Sequence, residues 1–236
     1  MHDVPDKLML MHLLDNPAWS ALTTLQRDFA LVNGPARRFP PEMAPHGAFI
    51  DPTPEAWRGL AQISPAPVSI FSCRELELPP GWSIVRKVEL HEMVQEEPLH
   101  VPQQSVAFSQ LTADDVPQMS LLYQATRPGR SMAPRLHELG GVLGVKQNGR
   151  VLAMACLRMH FPGYREISTV GTLPGHTGRG FATALVAELA RRIRDSGEVP
   201  FLTVRVDNAR AVQIYKRLGF RERVRMHSTT VRFAQE

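Results

Sequence analysis

Cysteine is scarce in this chain. The 236 residues contain two cysteines, Cys73 and Cys156, which form neither a metal-type spacing nor a disulfide framework. A reducing compartment is therefore expected. No uninterrupted apolar run approaches the ~20 residues that cross a bilayer, and the N-terminus lacks the order of charged, apolar and small residues found in signal peptides. These absences predict a cytoplasmic protein without a membrane span.

Aromatic residues are also few, at 7%, and they offer no obvious platform on which nucleic-acid bases would stack. The formal net charge is +4 and the isoelectric point about 9.4, a balance that suits either nucleic acid or an anionic cofactor. We expect the anionic cofactor, and nucleic acid is not expected as a partner. The ordinary hydrophobic content of 43% predicts a globular chain with one large domain or two small ones.

The two halves of the chain differ in pattern. Residues 1–104 hold many of the 20 prolines, so their helices and strands should be short. A helix capped by Asp15 or Asn16 would place Trp19, Leu22, Leu25 and Phe29 near one face. A second helix is predicted from Thr53-Pro54, short strands at Val68–Ser72 and Trp82–Val88, and a polar link at Leu90–Gln104.

From Ser105 the pattern is regular. It predicts the order β-α-β-β-β-α-β-α-β, with a first strand around Val106 and Phe108. Asn148-Gly149 between two apolar runs predicts a hairpin, because a type I′ turn needs positive φ at both central positions. An amphipathic helix is predicted from Gly180 to about Ser196, stopped by Gly197.

A glycine-rich turn precedes that helix, in the run Thr177-Gly178-Arg179-Gly180-Phe181-Ala182. Unpaired N–H groups in the first turn of a helix attract anions, so phosphates of a nucleotide-containing cofactor would fit there. Phe181 follows where a P-loop needs lysine, and Thr183 stands where a dinucleotide-binding fold needs its third glycine. A plain strand-to-helix turn is the alternative.

A second segment, Asn208–Phe220, follows the strand predicted at Phe201–Val206 and reads NARAVQIYKRLGF. Together the two segments resemble the GNAT superfamily of acyl-CoA-dependent N-acyltransferases. That superfamily carries Arg/Gln-x-x-Gly-x-Gly/Ala after its fourth strand, here Thr177-x-x-Gly180-x-Ala182. It carries Asn-x-x-Ala-x-x-x-Tyr-x-x-x-Gly-Phe after its fifth, matched here at Asn208, Ala211, Tyr215, Gly219 and Phe220. Thr177 departs from the usual arginine or glutamine and keeps a hydroxyl while losing reach and charge.

The resemblance implies an α/β fold, a GNAT-like mixed and twisted sheet flanked by helices. It covers residues 105–236. Residues 1–104 are expected to form a smaller, divergent α/β region that is either GNAT-like or placed on the substrate side. In this superfamily the fourth and fifth strands splay apart and the pantetheine arm inserts between them. Gly171 would ease a bulge there, and a glycine needed only for packing is the alternative.

The resemblance also implies the residues that hold the cofactor, acetyl-CoA as co-substrate. Backbone groups at Val170, Gly171 and Thr172 would face the thioester and its developing oxyanion. The remaining cofactor residues are Thr177, Gly178, Arg179, Gly180, Phe181, Ala182, Thr183 and Asn208. Asn208 matches an asparagine that binds the pantetheine amides, and capping the following helix is its alternative role.

Two residues are candidates for catalysis. An alkylamine is mostly protonated at neutral pH, so a base must receive a proton; Glu166 is the candidate, or else a solvated glutamate at a strand start. Strand periodicity would place Glu166, Ser168, Val170 and Thr172 on one face. Tyr215 matches the residue that protonates the departing thiolate in many relatives, or else is a half-buried tyrosine on a helix face.

The predicted function is N-acyl transfer, with acetyl passing from acetyl-CoA by direct attack to the primary amine of a small-molecule or peptide acceptor. The alternative is a catalytically silent GNAT-fold module that binds CoA or a protein partner. Neither metal ligation nor a nucleophilic cysteine is indicated. Arg127, Arg130 and Arg135 suggest an acidic acceptor, and monomer and homodimer stay equally open.

Overall fold

The structure is a computed structural model that describes residues 12–97 and 106–234. Within these ranges the chain forms five α-helices and eleven strands. The helices are α1 (Pro17–Thr23), α2 (Pro54–Ile63), α3 (Val116–Thr126), α4 (Phe181–Asp195) and α5 (Ala209–Arg217). The strands are β1 (Leu31–Asn33), β2 (Ala36–Arg38), β3 (His46–Ala48), β4 (Val68–Ser72), β5 (Trp82–Gln95), β6 (Ser109–Leu111), β7 (Val142–Gln147), β8 (Arg150–Phe161), β9 (Tyr164–Thr172), β10 (Val199–Arg205) and β11 (Phe220–Phe233).

All eleven strands join one sheet, in the order β1-β2-β3-β4-β11-β5-β10-β9-β8-β7-β6. The pairs β3–β4 and β9–β10 are parallel and the other pairs are antiparallel, so the sheet is mixed. This confirms the predicted fold class. The strand β5 comes from the N-terminal half and lies between β10 and β11 of the C-terminal half. The sheet therefore spans both predicted regions, and the division into 1–104 and 105–236 stays a prediction.

The C-terminal half follows the predicted order of elements. From β6 onward the chain runs β6-α3-β7-β8-β9-α4-β10-α5-β11. Asn148 and Gly149 join β7 to β8 with φ of 49° and 74°, the positive values that a type I′ hairpin requires. The predicted strand at Val106 and Phe108 is wrong by a few residues: the strand is Ser109–Leu111, while Val106 and Phe108 pack against a hydrophobic cluster from a loop.

The two helices of the N-terminal half begin where their caps predicted. The side chain of Asn16 accepts from the N–H of Trp19 at 3.2 Å, and that of Thr53 from the N–H of Ala56 at 3.2 Å. The first helix is shorter than predicted, since it ends at Thr23 and leaves Leu25 53% exposed. Thr23 and Thr24 donate their hydroxyls to carbonyls four residues back, a local bond that competes with helix continuation.

The predicted polar link is wrong over residues 90–95, which form the second half of β5. The polar residues that suggested a link, Glu92 and Gln95, are buried with partners instead. Gln95 donates to the carbonyl of Leu218 at 2.9 Å, and Glu92 accepts from Arg223. Buried polar side chains with partners are tolerated in a central strand. The rest of the predicted link, residues 98–104, lies outside the described residues.

Two hydrophobic clusters cover the two faces of the C-terminal sheet. On one face, Met119 and Leu122 of α3 pack with Met154, Cys156 and Phe201; this is called the α3 face. On the other, the α4 face, helices α4 and α5 pack against strand residues: Leu185, Leu189, Ile193, Ile167, Leu202 and Val204 belong to this cluster. The periodicity of α4 predicted its buried stripe, because Leu185, Leu189 and Ile193 recur at helical spacing.

Candidate functional site

The parallel strands β9 and β10 separate along their length. Their pairing is limited to Val199 with Tyr164, Pro200 with Arg165 and Phe201 with Glu166. Beyond these pairs, residues 167–172 and 202–205 belong to neighbouring strands that no longer hydrogen-bond to each other. A gap therefore opens in the sheet, with unpaired backbone groups along both sides, and an extended ligand can use such groups as a strand would.

A β-bulge shapes the side of the gap formed by β9. Ser168 pairs with Cys156 and Gly171 with Met154, so Thr169 and Val170 together oppose one residue of β8. Thr169 has φ of 54°, the positive value that accommodates the extra residue. The guanidinium of Arg127, at the end of α3, donates to the carbonyl of Val170 at 3.0 Å. The bulge is thus held in place from the adjacent helix.

The bulge overturns the prediction that Glu166, Ser168, Val170 and Thr172 share one face. Glu166 and Ser168 pair with Phe201 and Cys156, which belong to the α3 face. Val170 packs against the α4-face cluster, and Thr172 pairs with Ala153 of that cluster. One extra residue between positions 168 and 171 exchanges the faces of everything that follows.

Gly171 lies beside the bulge rather than in it. A Cβ on Gly171 would come within 3.1 Å of the Leu122 side chain and 3.2 Å of the Thr126 hydroxyl. The glycine thus lets α3 approach β9 closely. Its predicted contact with the cofactor, like those of Val170 and Thr172, stays a prediction.

The glycine-rich turn leads directly from the gap into α4. Gly178 and Gly180 have φ of 82° and 77°, and Gly180 is the residue that precedes the helix. Gly180 has no side chain that could cap the helix. The outward-facing N–H groups of Phe181, Ala182 and Thr183 therefore receive no side-chain hydrogen bond from that position. Thr177, Gly178 and Arg179 are exposed. The free N–H groups at the start of α4 give the turn a positive potential, next to the end of the gap.

Helix α5 carries the second motif. Asn208 caps it, with its side-chain oxygen accepting from the N–H of Ala211 at 3.2 Å. The Tyr215 side chain lies on the buried side of α5. Its ring packs edge-on against the ring of Phe220, with the two ring centroids 6.2 Å apart. Burial raises the pKa of Tyr215 to about 12, with the nearby Arg127 acting in the opposite sense. Tyr215 therefore keeps its proton at neutral pH, and its role as a proton donor stays a prediction.

Glu166 is buried rather than solvated, with 1% of its surface exposed. Both carboxylate oxygens accept from the guanidinium of Arg158, at 2.8 Å and 2.6 Å. To take a proton from a substrate, Glu166 would have to give up one of these bonds. No observation assigns Glu166 a role in proton transfer, so that role stays a prediction.

Glu92 is a buried carboxylate on the strand beside β10 that the sequence analysis does not single out. It lies on β5, fully buried, with Oε1 accepting from Nε of Arg223 at 2.6 Å. Burial raises the pKa of Glu92 to about 7, Arg223 acts against that rise, and Asp15 and Glu166 add to it. The run Leu90-His91-Glu92-Met93-Val94 does not alternate apolar with polar residues, so no period-two pattern marked Glu92 as part of a buried strand.

The three arginines that suggested an acidic acceptor have different environments. Arg127 is held by Val170 and lies over the Tyr123 ring, 4.8 Å from its centroid. Arg135 pairs with Glu138 at 2.7 Å and with Glu42 at 3.4 Å. Burial lowers the pKa of Arg127, and the exposed Arg130 lowers it further. Arg135 is therefore already neutralised, and the acidic acceptor stays a prediction.

Cysteine, metal and membrane chemistry find little support among the described residues. Burial raises the pKa of Cys156 to about 11, so its thiol remains protonated near neutral pH. In the ranges 12–97 and 106–234, no group of three or more histidine, cysteine or acidic side chains is placed to hold a metal ion. Over the same ranges, no helix has the length and apolar character needed to cross a membrane.

The structure has the features that the two motifs predicted for this class of fold. They are the gap between the parallel strands β9 and β10, the bulge in β9 and the glycine turn before the uncapped helix α4. The family described as FR47-like protein matches residues 142–231. A GNAT-family protein from Novosphingobium aromaticivorans DSM 12444, known from its crystal structure, is 31% identical, covers 95% of this chain and 100% of its own, and has a TM-score of 0.85. The chain belongs to the GNAT family of acetyltransferases, as predicted.

Other relatives are more distant or shorter in their match. A GCN5-related N-acetyltransferase from Kribbella flavida shares the fold, with a TM-score of 0.58, 20% identity, and coverage of 90% of this chain and 93% of its own. The mycothiol acetyltransferase of Mycobacterium avium (strain 104) is 42% identical in an alignment of 82 residues that covers 30% of this chain and 26% of that protein. The chain thus spans about a quarter of this curated relative.

Proposed function

We propose that the protein transfers an acetyl group from acetyl-CoA to the primary amine of a small-molecule or peptide acceptor by direct attack, in the cytoplasm. The observation that carries the proposal is the gap between β9 and β10, which ends beside the glycine turn at the start of α4. Family membership supports transfer over the catalytically silent alternative.

The cofactor would be held mainly by backbone groups. The N–H groups at the start of α4 suit the diphosphate of acetyl-CoA, and Arg179 adds a cation next to them. The unpaired edges of β9 and β10 suit the amides of the pantetheine arm. The N–H groups near the bulge suit the oxygen that becomes negative when an amine attacks the thioester, since a preorganised donor stabilises that charge without reorganisation.

Tyr215 would return a proton to the departing thiolate. Its hydroxyl is protonated at neutral pH, as in an ordinary tyrosine, and burial raises its pKa further, to about 12. A thiol is much more acidic than that hydroxyl in water, so the proton moves only if the thiolate is also buried and poorly solvated. Asn208 would keep α5, and with it Tyr215, at the edge of the gap by capping the helix.

Cofactor binding can be tested with two glycines at opposite ends of α4. Gly178 and Gly197 have φ of +82° and +80°, and neither has a heavy atom within 4 Å of the position of an added Cβ. Gly178→Ala and Gly197→Ala therefore introduce the same backbone strain. By titration calorimetry, G178A should bind acetyl-CoA at least about tenfold more weakly, and G197A should bind like the wild type. Equal affinities would contradict a diphosphate site at this turn.

Transfer itself is measured by release of the CoA thiol with a panel of amines. The panel contains free amino acids, polyamines and short peptides with a free α-amino group. We expect at least one member to accelerate thiol release over the amine-free rate. Binding of acetyl-CoA without acceleration by any member would favour the silent alternative instead.

A further inference from the structure

Glu92 is a buried carboxylate with an unused oxygen. Its exposed fraction is 0%, and Oε1 accepts from Arg223. Its other oxygen, Oε2, is buried and has no hydrogen-bond partner among the described residues. An unsatisfied carboxylate oxygen in a protein interior is costly. Such a group persists where it serves a function, and the proposed reaction needs a group that accepts a proton.

The position of Glu92 matches that need. On β5, Leu90 and Val94 belong to the α3-face cluster and Met93 to the α4-face cluster, so Glu92 points to the α3 face. Its cross-strand neighbour on β10 is Thr203. Thr203 lies just beyond Phe201, where the pairing of β10 with β9 ends. The carboxylate is therefore one strand away from the open part of the gap.

The α3 face is accessible at this point. Thr203 is half-buried, whereas Leu202 and Val204, which point to the opposite face, are buried. Ser168 on β9 is also half-buried and points to the same α3 face as Thr203. An acceptor amine lying over Thr203 would be between the bulge of β9 and the strand that carries Glu92. Because Oε2 is buried, the proton of the amine would reach it through a water molecule.

We propose that Glu92, contributed by the N-terminal half of the chain, accepts the proton of the attacking amine. This inference rests on the proposed function, because it assigns the base of that same reaction. It is preferred over Glu166, whose two oxygens both accept from Arg158. One oxygen of Glu92 is fixed by Arg223 and the other is free, which is the arrangement of an oriented base.

The charges around Glu92 come from every element packed against it. Arg223 is the extra residue of a bulge in β11, where Glu222 pairs with Met93 and Val224 with Glu92. Arg223 also donates to Asp15 at 2.7 Å, and Glu166 of β9 adds negative charge. Burial raises the pKa of the Cys73 thiol, just beyond β4, and the Glu92 carboxylate adds to that rise. Burial and two acidic neighbours keep the pKa of Glu92 at about 7, where a base both accepts and releases protons near neutral pH.

The proton and electron balance is complete with groups already named. The amine nitrogen forms a bond to the thioester carbonyl carbon, and its proton moves to Oε2 of Glu92. The carbonyl re-forms as the carbon–sulfur bond breaks, and the electron pair leaves on sulfur. The thiolate takes a proton from Tyr215. Glu92 then releases its proton to solvent, and Tyr215 regains one from solvent.

The test compares Glu92→Gln with Glu89→Gln, the same change at an exposed position of the same strand. Rates are measured from about pH 6 to about pH 9 with acetyl-CoA and the best acceptor of the amine panel. With rates expressed per concentration of unprotonated amine, wild type and E89Q should show kcat/KM rising to a plateau with a midpoint near pH 7. E92Q should lose about 10²-fold or more in kcat/KM and its midpoint, yet bind acetyl-CoA like the wild type. An unchanged rate and profile in E92Q would overturn the inference.

Failure of this inference is distinguishable from failure of the proposed function. If wild type transfers acetyl to no amine, the function itself fails; if wild type transfers and E92Q does so equally, only the role of Glu92 fails. A second readout needs no acceptor. The infrared difference between about pH 5 and about pH 9 should contain a carboxylic-acid band that is lost in E92Q and kept in E89Q and E166Q. Persistence of every such band in a folded E92Q protein would contradict a titrating Glu92.

Discussion

The two parts of the chain, residues 12–97 and 106–234, contribute to one sheet in different ways. The C-terminal part supplies the gap, the bulge, the glycine turn and Tyr215, all within one run of consecutive elements from β9 to α5. The N-terminal part supplies β5, which lies between β10 and β11 and carries Glu92. The residues proposed to bind the cofactor are therefore close together in sequence, whereas the proposed base reaches the site only through strand pairing between distant parts of the chain.

Removing β5, the strand that the N-terminal part contributes to the sheet, should have the largest effect on folding. A chain of residues 105–236 alone would leave β10 and β11 without the strand that joins them. It would also expose both hydrophobic clusters, since Leu90 and Val94 belong to one and Met93 to the other. We expect no cooperative unfolding transition by circular dichroism, because unpaired central edges and exposed apolar surface are not stable in water. A cooperative transition like that of the full chain would show the C-terminal part to be self-sufficient.

The ion pairs within the C-terminal part differ in burial from those that join it to the N-terminal part. Arg158→Met leaves Glu166 as a buried, uncompensated charge and should cost about 3–5 kcal/mol in urea unfolding. Arg223→Met, which cuts the link from β11 to Glu92 and Asp15, should cost less, because Arg223 is partly exposed and Glu92 readily takes a proton. Arg205→Met, beside Asp207 on the surface, should cost under about 1 kcal/mol. The reverse order would contradict this account of burial.

Protonation of Glu92 should make the free energy of unfolding depend on pH. Its pKa is about 7 in the folded protein against 4.5 ordinarily, so the folded state binds the proton more tightly. This contribution to stability is fully present below about pH 4.5 and is lost as pH rises through 7. The free energy of unfolding of wild type, relative to E92Q, should fall by about 3 kcal/mol over that interval. A difference independent of pH would show that Glu92 does not titrate there.

Tyr215 tests the C-terminal part by itself. Tyr215→Phe removes the hydroxyl and keeps the buried ring against Phe220, so the fold should be retained. Turnover should fall by about 10²-fold while the Kd of acetyl-CoA changes little, because the proton is needed only as the thiolate departs. Stopped-flow thiol release and calorimetry separate the two quantities. Unchanged turnover would leave Tyr215 as a packing residue.

Helix caps give a small effect in each of the two parts. Asn16→Ala and Asn208→Ala each remove one side-chain bond to a helix N–H, which should cost about 1 kcal/mol in unfolding. Asn16→Ala also removes the bond that the Asn16 amide donates to the carbonyl of Phe49 at 2.8 Å, so it should cost more than Asn208→Ala. If Asn208 also binds pantetheine, N208A should raise the KM for acetyl-CoA, and N16A should not. Equal KM values would limit Asn208 to capping.

The parts of the fold predicted from sequence are those with local physical signals. Caps at Asn16 and Thr53, the Asn148-Gly149 turn and the stripe of α4 each depend on neighbouring residues. The errors have a different origin. The second half of β5 was read as a link because its polar residues are satisfied by partners more than a hundred positions away. The faces of β9 were misassigned because one inserted residue at Thr169 is invisible to a period-two pattern.

The sequence by itself determined the family, the order of elements from β6 onward and the positions of the glycine turn and Tyr215, because these depend on backbone conformations and spacings that neighbouring residues impose. Only the tertiary structure decided that a strand from the N-terminal half enters the sheet beside β10, and which carboxylate keeps a free oxygen near the gap. Both depend on contacts between distant residues, where burial and charge act through space and not along the chain.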